Sequence, residues 1–229
     1  MLTLGIDKAH TYILQVLDEL KGVEDTGMLE TDELDTMKLV RGFIVEAIVK
    51  AHKDAPAYLL DGVDAKQKPY PVEGEQEKDD ADYDFEVTVT DGVAKIVMLQ
   101  ESARLASLKA SDSPVVVSDY ATEDSSIGRM QNNRYVRGTW DDPRVIITRA
   151  WADMRKPEYL YYSVRSEKPV FRLEYVPYPA EESESFDVAD KLEYAVLNLL
   201  ASMVLNALSY ADKGNIYLAK YQEYLQAAR

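Results

Sequence analysis

Cysteine is absent from all 229 residues, which excludes disulfides, thiolate nucleophiles and cysteine-ligated zinc or iron–sulfur sites. Histidine is nearly as scarce. His10 and His52 stand apart in separate helical patterns, too few for a histidine-based triad or a multi-histidine metal centre. No phosphate-cradling glycine fingerprint, HExxH pair or nucleophile elbow occurs. Nor is there an apolar run long enough for a bilayer span, since the longest, 195–208, is broken by Asn198, Ser202 and Asn206. The first residues carry no basic stretch and no signal-type apolar core, which predicts a soluble protein, and the lack of cysteine suits a reducing compartment.

Positive charge is in deficit. Lysine and arginine number 26 against 41 acids, a formal net charge of −15. That balance disfavours a freestanding nucleic-acid binder, which needs cations facing phosphate, and disfavours docking on anionic membrane. The 46% hydrophobic and 29% charged content is that of a globular chain able to bury a real core.

Apolar residues recur at helical spacing over 7–21 (Ala9, Ile13, Val16, Leu17, Leu20). A second helix presents Leu34, Met37, Val40, Phe43, Ile44, Ala47, Ile48 and Ala51, with Thr31 as its expected cap and Asp54-Ala55-Pro56 as its stop. Residues 64–82 hold almost no large apolar side chains and read as an acidic loop. From Tyr83, alternation gives a strand, Asp91-Gly92 a two-residue hairpin turn, and 93–99 its partner. A short helix is expected near 101–108, a strand at 115–117 and a helical turn near 125–132. Strands are expected at 144–150, 158–165 and 170–176, with a turn near 166–169. Asp187 then caps a helix over 188–212, Gly214 ends it, and 215–228 forms the last helix.

The expected fold class is therefore α+β, with terminal helices forming a bundle and a β-rich central insertion of a hairpin plus antiparallel strands. Residues 1–63 and 187–229 make the bundle, 64–82 the acidic loop, and 83–186 the β-rich domain.

Candidate chemistry is thin. Asp80, Asp82 and Asp84 have calcium-loop spacing, but Phe85 stands where the sharp-turn glycine belongs and Asp91 where the bidentate glutamate belongs. Charge distribution says more. Between positions 129 and 156 lie seven cations (Arg129, Arg134, Arg137, Arg144, Arg149, Arg155, Lys156) against three acids (Asp141, Asp142, Asp153). That is a local +4, so the remainder carries −19. Separated basic and acidic faces suit a head-to-tail contact between identical subunits. Arginines simply facing solvent beside their own acids are the alternative. Sixteen tyrosines add a stripe of Tyr217, Tyr221 and Tyr224 on the last helix, which fits either a subunit contact or packing within the chain. Asn198, Ser202, Asn206 and Ser209 form a polar seam that needs hydrogen-bond partners from a neighbouring helix or another chain.

Leu105-Ala106-Ser107-Leu108-Lys109-Ala110-Ser111-Asp112, then Pro114-Val115, then the run from Arg129 to Gly138 and the Pro143-led strand resemble structural proteins of crAss-like and related tailed bacteriophages. The Tyr175-Val176-Pro177 end and the closing helix pair fit the same pattern. The layout also resembles the head–tail connector, or neck ring, proteins of short-tailed phages, and the likeness covers roughly residues 100–229. It implies a virion structural protein without catalytic, cofactor or metal residues. Copies would form a ring, commonly of twelve, below the portal protein and against other neck or tail proteins. The genome DNA would pass through without specific binding, and no membrane is involved. The expected location is the virion neck, after assembly in the host cytoplasm. On that reading Arg129, Arg134, Tyr135, Arg137, Arg144, Arg149, Tyr217, Tyr221 and Tyr224 form the subunit interface. The acidic residues Glu73, Glu75, Glu77, Asp79 and Asp80 face the channel or a partner. Another tail component (tube, terminator or head-completion protein), or an acidic cytosolic protein-binding module, is the alternative.

Overall fold

The computed structural model describes residues 1–23, 33–64, 83–133, 135–148, 155–164 and 170–227. The chain is an α+β protein. In order, its elements are β1 (Leu2–Gly5), α1 (Ile6–Val23), α2 (Glu33–Asp54), β2 (Val63–Asp64), β3 (Phe85–Thr90), β4 (Val93–Met98), β5 (Ser102–Ala110), β6 (Ala121–Thr122) and α3 (Ser126–Gln131). There follow β7 (Arg144–Thr148), β8 (Glu158–Tyr162), β9 (Phe171–Pro177), β10 (Ser185–Val188), α4 (Glu193–Ala207) and α5 (Ala211–Ala227). Two compact units result: Met1–Asp61 with Pro179–Arg229, and Gly62–Tyr178.

In the helical unit, α4 is apolar almost all round, with Ala195, Val196, Leu197, Leu199, Leu200, Ala201, Val204 and Leu205 all buried. A helix of that kind belongs at a centre, and α1, α2 and α5 pack against it. The buried stripe of α1 is Ala9, Ile13, Val16 and Leu17; that of α2 is Val40, Ile44, Ala47, Ile48 and Ala51. Each buried leucine, isoleucine or valine contributes about 1.5–3 kcal/mol relative to exposure. An antiparallel ribbon pairs β1 with β10, Leu2 opposite Val188 and Leu4 opposite Phe186, and joins that core through Leu4, Phe186 and Val188.

The β unit holds two sheets. One has the order β2-β9-β5, the other β3-β4-β8-β7-β6. All pairings are antiparallel except β6 with β7. Side chains from both sheets (Phe85, Ile96, Met98, Tyr159 and Tyr161 from one; Leu105, Leu108, Phe171 and Leu173 from the other) make one core. Tyr161 meets Phe171 edge-on, with ring centroids 5.4 Å apart, the geometry the ring quadrupoles favour. The Asp91-Gly92 turn forms as its sequence predicts, with positive φ at both residues.

Several expectations are corrected. Residues 101–108 are strand, not helix, because β5 lies in the sandwich with most of its side chains buried. Residues 115–117 form no strand; Val117 makes a single bridge to Leu108. The helix expected at 188–212 is shorter, since Asp187 sits in β10 opposite Thr3 and α4 begins at Glu193. Gly214 lies inside α5 against Asn206, and the break falls at Ser209, whose φ is positive. The division after residue 186 falls instead after Tyr178, because β10 pairs with β1. Thr31, the 166–169 turn and most of the 64–82 loop lie outside the described residues. No described helix is long and apolar enough to cross a membrane.

Candidate interaction surface

The 121–144 loop, described at every position but 134, carries β6 and α3 and is held by its own hydrogen bonds. Ser125 caps α3, its Oγ accepting from Gly128 N–H at 3.0 Å and donating to Thr122 O at 2.6 Å. A serine here satisfies one of the donors that any helix start leaves open. Gln131 is 5% exposed and links α3 to Gly138. Its Nε2 donates to Ile127 O at 3.0 Å, and its Oε1 accepts from Gly138 N–H at 2.7 Å. Between them, Asn133 Oδ1 accepts from Tyr135 N–H, and Asn133 O accepts from Val136 and Arg137 N–H. Beyond, the Trp140 indole donates to Asp112 O at 2.6 Å, and Ser113 Oγ donates to Trp140 O at 3.1 Å.

This hydrogen-bonded frame leaves apolar side chains exposed to solvent. Tyr135 is 93% exposed, Val136 55%, Met130 53% and Ile127 43%. Scattered exposed apolar residues are ordinary, whereas a contiguous exposed apolar patch is a candidate contact surface. Of these four, only Tyr135 was expected as an interface residue. The available signal was isolated apolar residues amid Ser, Gly, Asn and Arg, matching neither helical nor strand periodicity.

The expected arginines divide. Arg129 is exposed, its Nε donating to Asp124 O at 3.1 Å. Arg144 is exposed and paired with Asp142 at 2.7 Å. Arg137 is half-buried, its guanidinium beside Gly92 and close to Tyr162, whose hydroxyl is pushed up chiefly by burial and also by Glu123, with Arg137 opposing. Arg134, Arg149 and the acidic residues Glu73, Glu75, Glu77, Asp79 and Asp80 lie outside the described residues. Arg155 is engaged within its own unit, 3.7 Å from Glu101 and over the Tyr178 ring.

The tyrosine stripe is corrected. Tyr217 and Tyr221 are buried in the helical core, at 6% and 2% exposure, so they hold α5 to its own chain and offer nothing to a neighbour. Tyr221 OH donates to Asp54 Oδ2 at 2.9 Å, and Tyr224 OH to Lys191 O at 2.8 Å. The polar seam of α4 finds partners at home as well. Asn198 Oδ1 accepts from Tyr12 OH at 3.2 Å while its Nδ2 donates to Tyr194 O, and Asn206 reaches Ser202.

A cleft of about 360 Å³ opens in the helical unit beside Tyr12, Gln15, Tyr194 and Leu197, with the Lys8–Glu193 ion pair at one end. Among the described residues, no three His, Asp or Glu side chains gather as they would around a metal ion. No protein-family model matches the chain, and no curated protein matches it.

Proposed function

We propose that this chain is a structural protein of a tailed-phage virion, acting through contacts between copies and not through catalysis. Copies join head to tail into a ring at the neck, below the portal and beside other neck or tail proteins, around the exit path of the genome. The observation that carries the contact role is the self-bonded 121–144 loop with Ile127, Met130, Tyr135 and Val136 exposed on it. A loop already fixed loses little conformational freedom on docking, and exposed aromatic and methionine side chains are what an interface centre uses. Arg129 and Arg144 at its rim suit the acidic surface of a neighbour, and opposite charges steer such a contact. An acidic lumen lets duplex DNA slide without adhering, because phosphate finds no cations to release its counterions. The phage setting rests on the residue pattern of 100–229.

The test is negative-stain imaging of the protein, alone and with the portal encoded in the same genome. Wild type is expected to give closed rings in at least one condition, and Met130→Ser with Tyr135→Ser to give none while keeping a wild-type circular dichroism spectrum. Absence of rings in both conditions, or rings untouched by the double substitution, overturns the reading.

A further inference from the structure

Among the described residues, the outer edge of β3 is an unpaired hydrogen-bonding rail with a definite register. The Asp91-Gly92 turn has φ of 51° and 75°, the type I′ geometry in which the flanking pair, Thr90 and Val93, exchanges both backbone bonds. Alternation along an antiparallel ladder then makes Thr88–Lys95 and Glu86–Val97 bonded pairs too. The backbone groups of Phe85, Val87 and Val89 must therefore point away from β4. Two observed bonds fix the phase independently. Leu99 N–H donates to Asp84 O at 2.9 Å, and Met98 N–H donates to Pro157 O on the β8 side at 3.2 Å. Among the described residues, no backbone bond reaches the outward groups of Phe85, Val87 or Val89.

Edges of this kind are usually guarded by proline, lysine, a bulge or a covering element. β3 reads Phe-Glu-Val-Thr-Val-Thr, without proline or lysine, and it pairs with β4 without a register shift. Its inward side chains Val87 and Val89 are only partly buried at the rim of the sandwich core.

We infer that β3 pairs antiparallel with β3 of a second copy about a two-fold axis at Val87, joining two five-stranded sheets into one. In that register Val87 meets Val87 and Phe85 meets Val89, so every outward N–H and C=O of those residues is bonded. Valine and phenylalanine face each other on the core side, completing the burial of Val87 and Val89. On the other face Glu86 lies opposite Thr88 of the second copy. Thr88 neighbours Lys95 on β4, so each carboxylate lies two strands from a lysine of the other chain, which is itself paired with Glu158 at 2.7 Å. Neighbouring registers are worse. Centring on Glu86 sets the two carboxylates directly opposite, a destabilising pair. Centring on Thr88 leaves Phe85 facing the Asp91 turn and moves Glu86 beside Val93. The contact is isologous, so it is separate from any head-to-tail ring contact.

The experiment is sedimentation of the whole protein from about 1 to 200 µM, the range in which a contact of this size is populated. Wild type is expected to move from one chain of 25.9 kDa to two. Val87→Pro removes an outward N–H and no β3–β4 bond; it should weaken the pair at least ~10-fold. Glu86→Lys should weaken it several-fold, and Met130→Ser with Tyr135→Ser should leave it intact. Hydrogen exchange on wild type gives a second readout that needs no variant to fold. The Phe85, Val87 and Val89 amides should slow ~10-fold or more at the high concentration, in step with dimer population. A chain that stays single throughout overturns the inference, as does self-association with exchange at those amides independent of concentration.

Discussion

His52 Nε2 accepts a hydrogen bond from the backbone N–H of Ala189 at 3.2 Å, 137 positions along the chain. An amide can only donate, so the ring proton sits on Nδ1, which donates to Ile48 O at 2.8 Å. The imidazole is fully buried. It is a fixed neutral bridge between the end of α2 and the segment leading into α4. His52→Leu leaves the Ala189 amide without its acceptor, a loss of about 1–3 kcal/mol. Urea unfolding should show that loss; an unchanged midpoint would remove the bridge from the account of this core.

The tyrosines of α5 and of the 121–144 loop should behave oppositely. Tyr217→Ala opens a cavity in the helical core and is expected to cost about 3–5 kcal/mol. Tyr221→Phe removes only the bond to Asp54, about 1 kcal/mol. Tyr135→Ser should alter stability by no more than ~0.5 kcal/mol while abolishing ring closure. Thermal or urea unfolding separates the three.

Alkaline pH should loosen both units. Burial is the leading cause that raises Tyr159, Tyr161 and Tyr221 above the ordinary tyrosine value of about 10. In Tyr221 the bond to Asp54 adds to it. Because the folded state holds these protons more tightly than the unfolded state, their contribution is complete below about pH 10 and is lost as pH rises beyond it. A tyrosinate absorbance titration should show part of the sixteen tyrosines ionising only together with loss of the near-ultraviolet circular dichroism signal. Smooth ionisation of all of them in the folded protein would contradict this.

Gly128 packs where no side chain fits. A Cβ there would stand 2.5 Å from Glu123 O, so Gly128→Ala must push α3 off the chain that precedes it. The expected result is faster exchange at the Gly138 amide, which depends on Gln131 staying in place, with loss of rings and a small change in global stability. Retention of slow exchange would show that the loop tolerates the shift.

Much of the architecture was legible because single elements carry strong periodicity. The stripes of α1 and α2, the β3–β4 alternation around Asp91-Gly92, and the strands near 144, 158 and 170 all follow from local pattern. β5 did not. Leu-Ala-Ser-Leu-Lys-Ala favours helix locally, and register shifts beside Arg104 and Ser107 scramble the two-residue alternation, so packing between sheets overrides propensity. The four-residue β1 and β10 were too short to show a period, and they exist only through each other. At the surface, Tyr135 was legible as an unusual loop residue. The burial of Tyr217 and Tyr221 was not, because a stripe on one helix does not reveal whether its partner belongs to the same chain.

The sandwich is one uninterrupted stretch of polypeptide, whereas the helical unit is assembled from the two flanks of that stretch. On the ribosome, Gly62–Tyr178 can therefore close as soon as it emerges, while α1 and α2 wait with their apolar stripes uncovered until α4 is synthesised. A nascent chain stalled or truncated before Glu193 would keep a finished sandwich and two sticky, unpartnered helices, the form that chaperones retain and proteases clear.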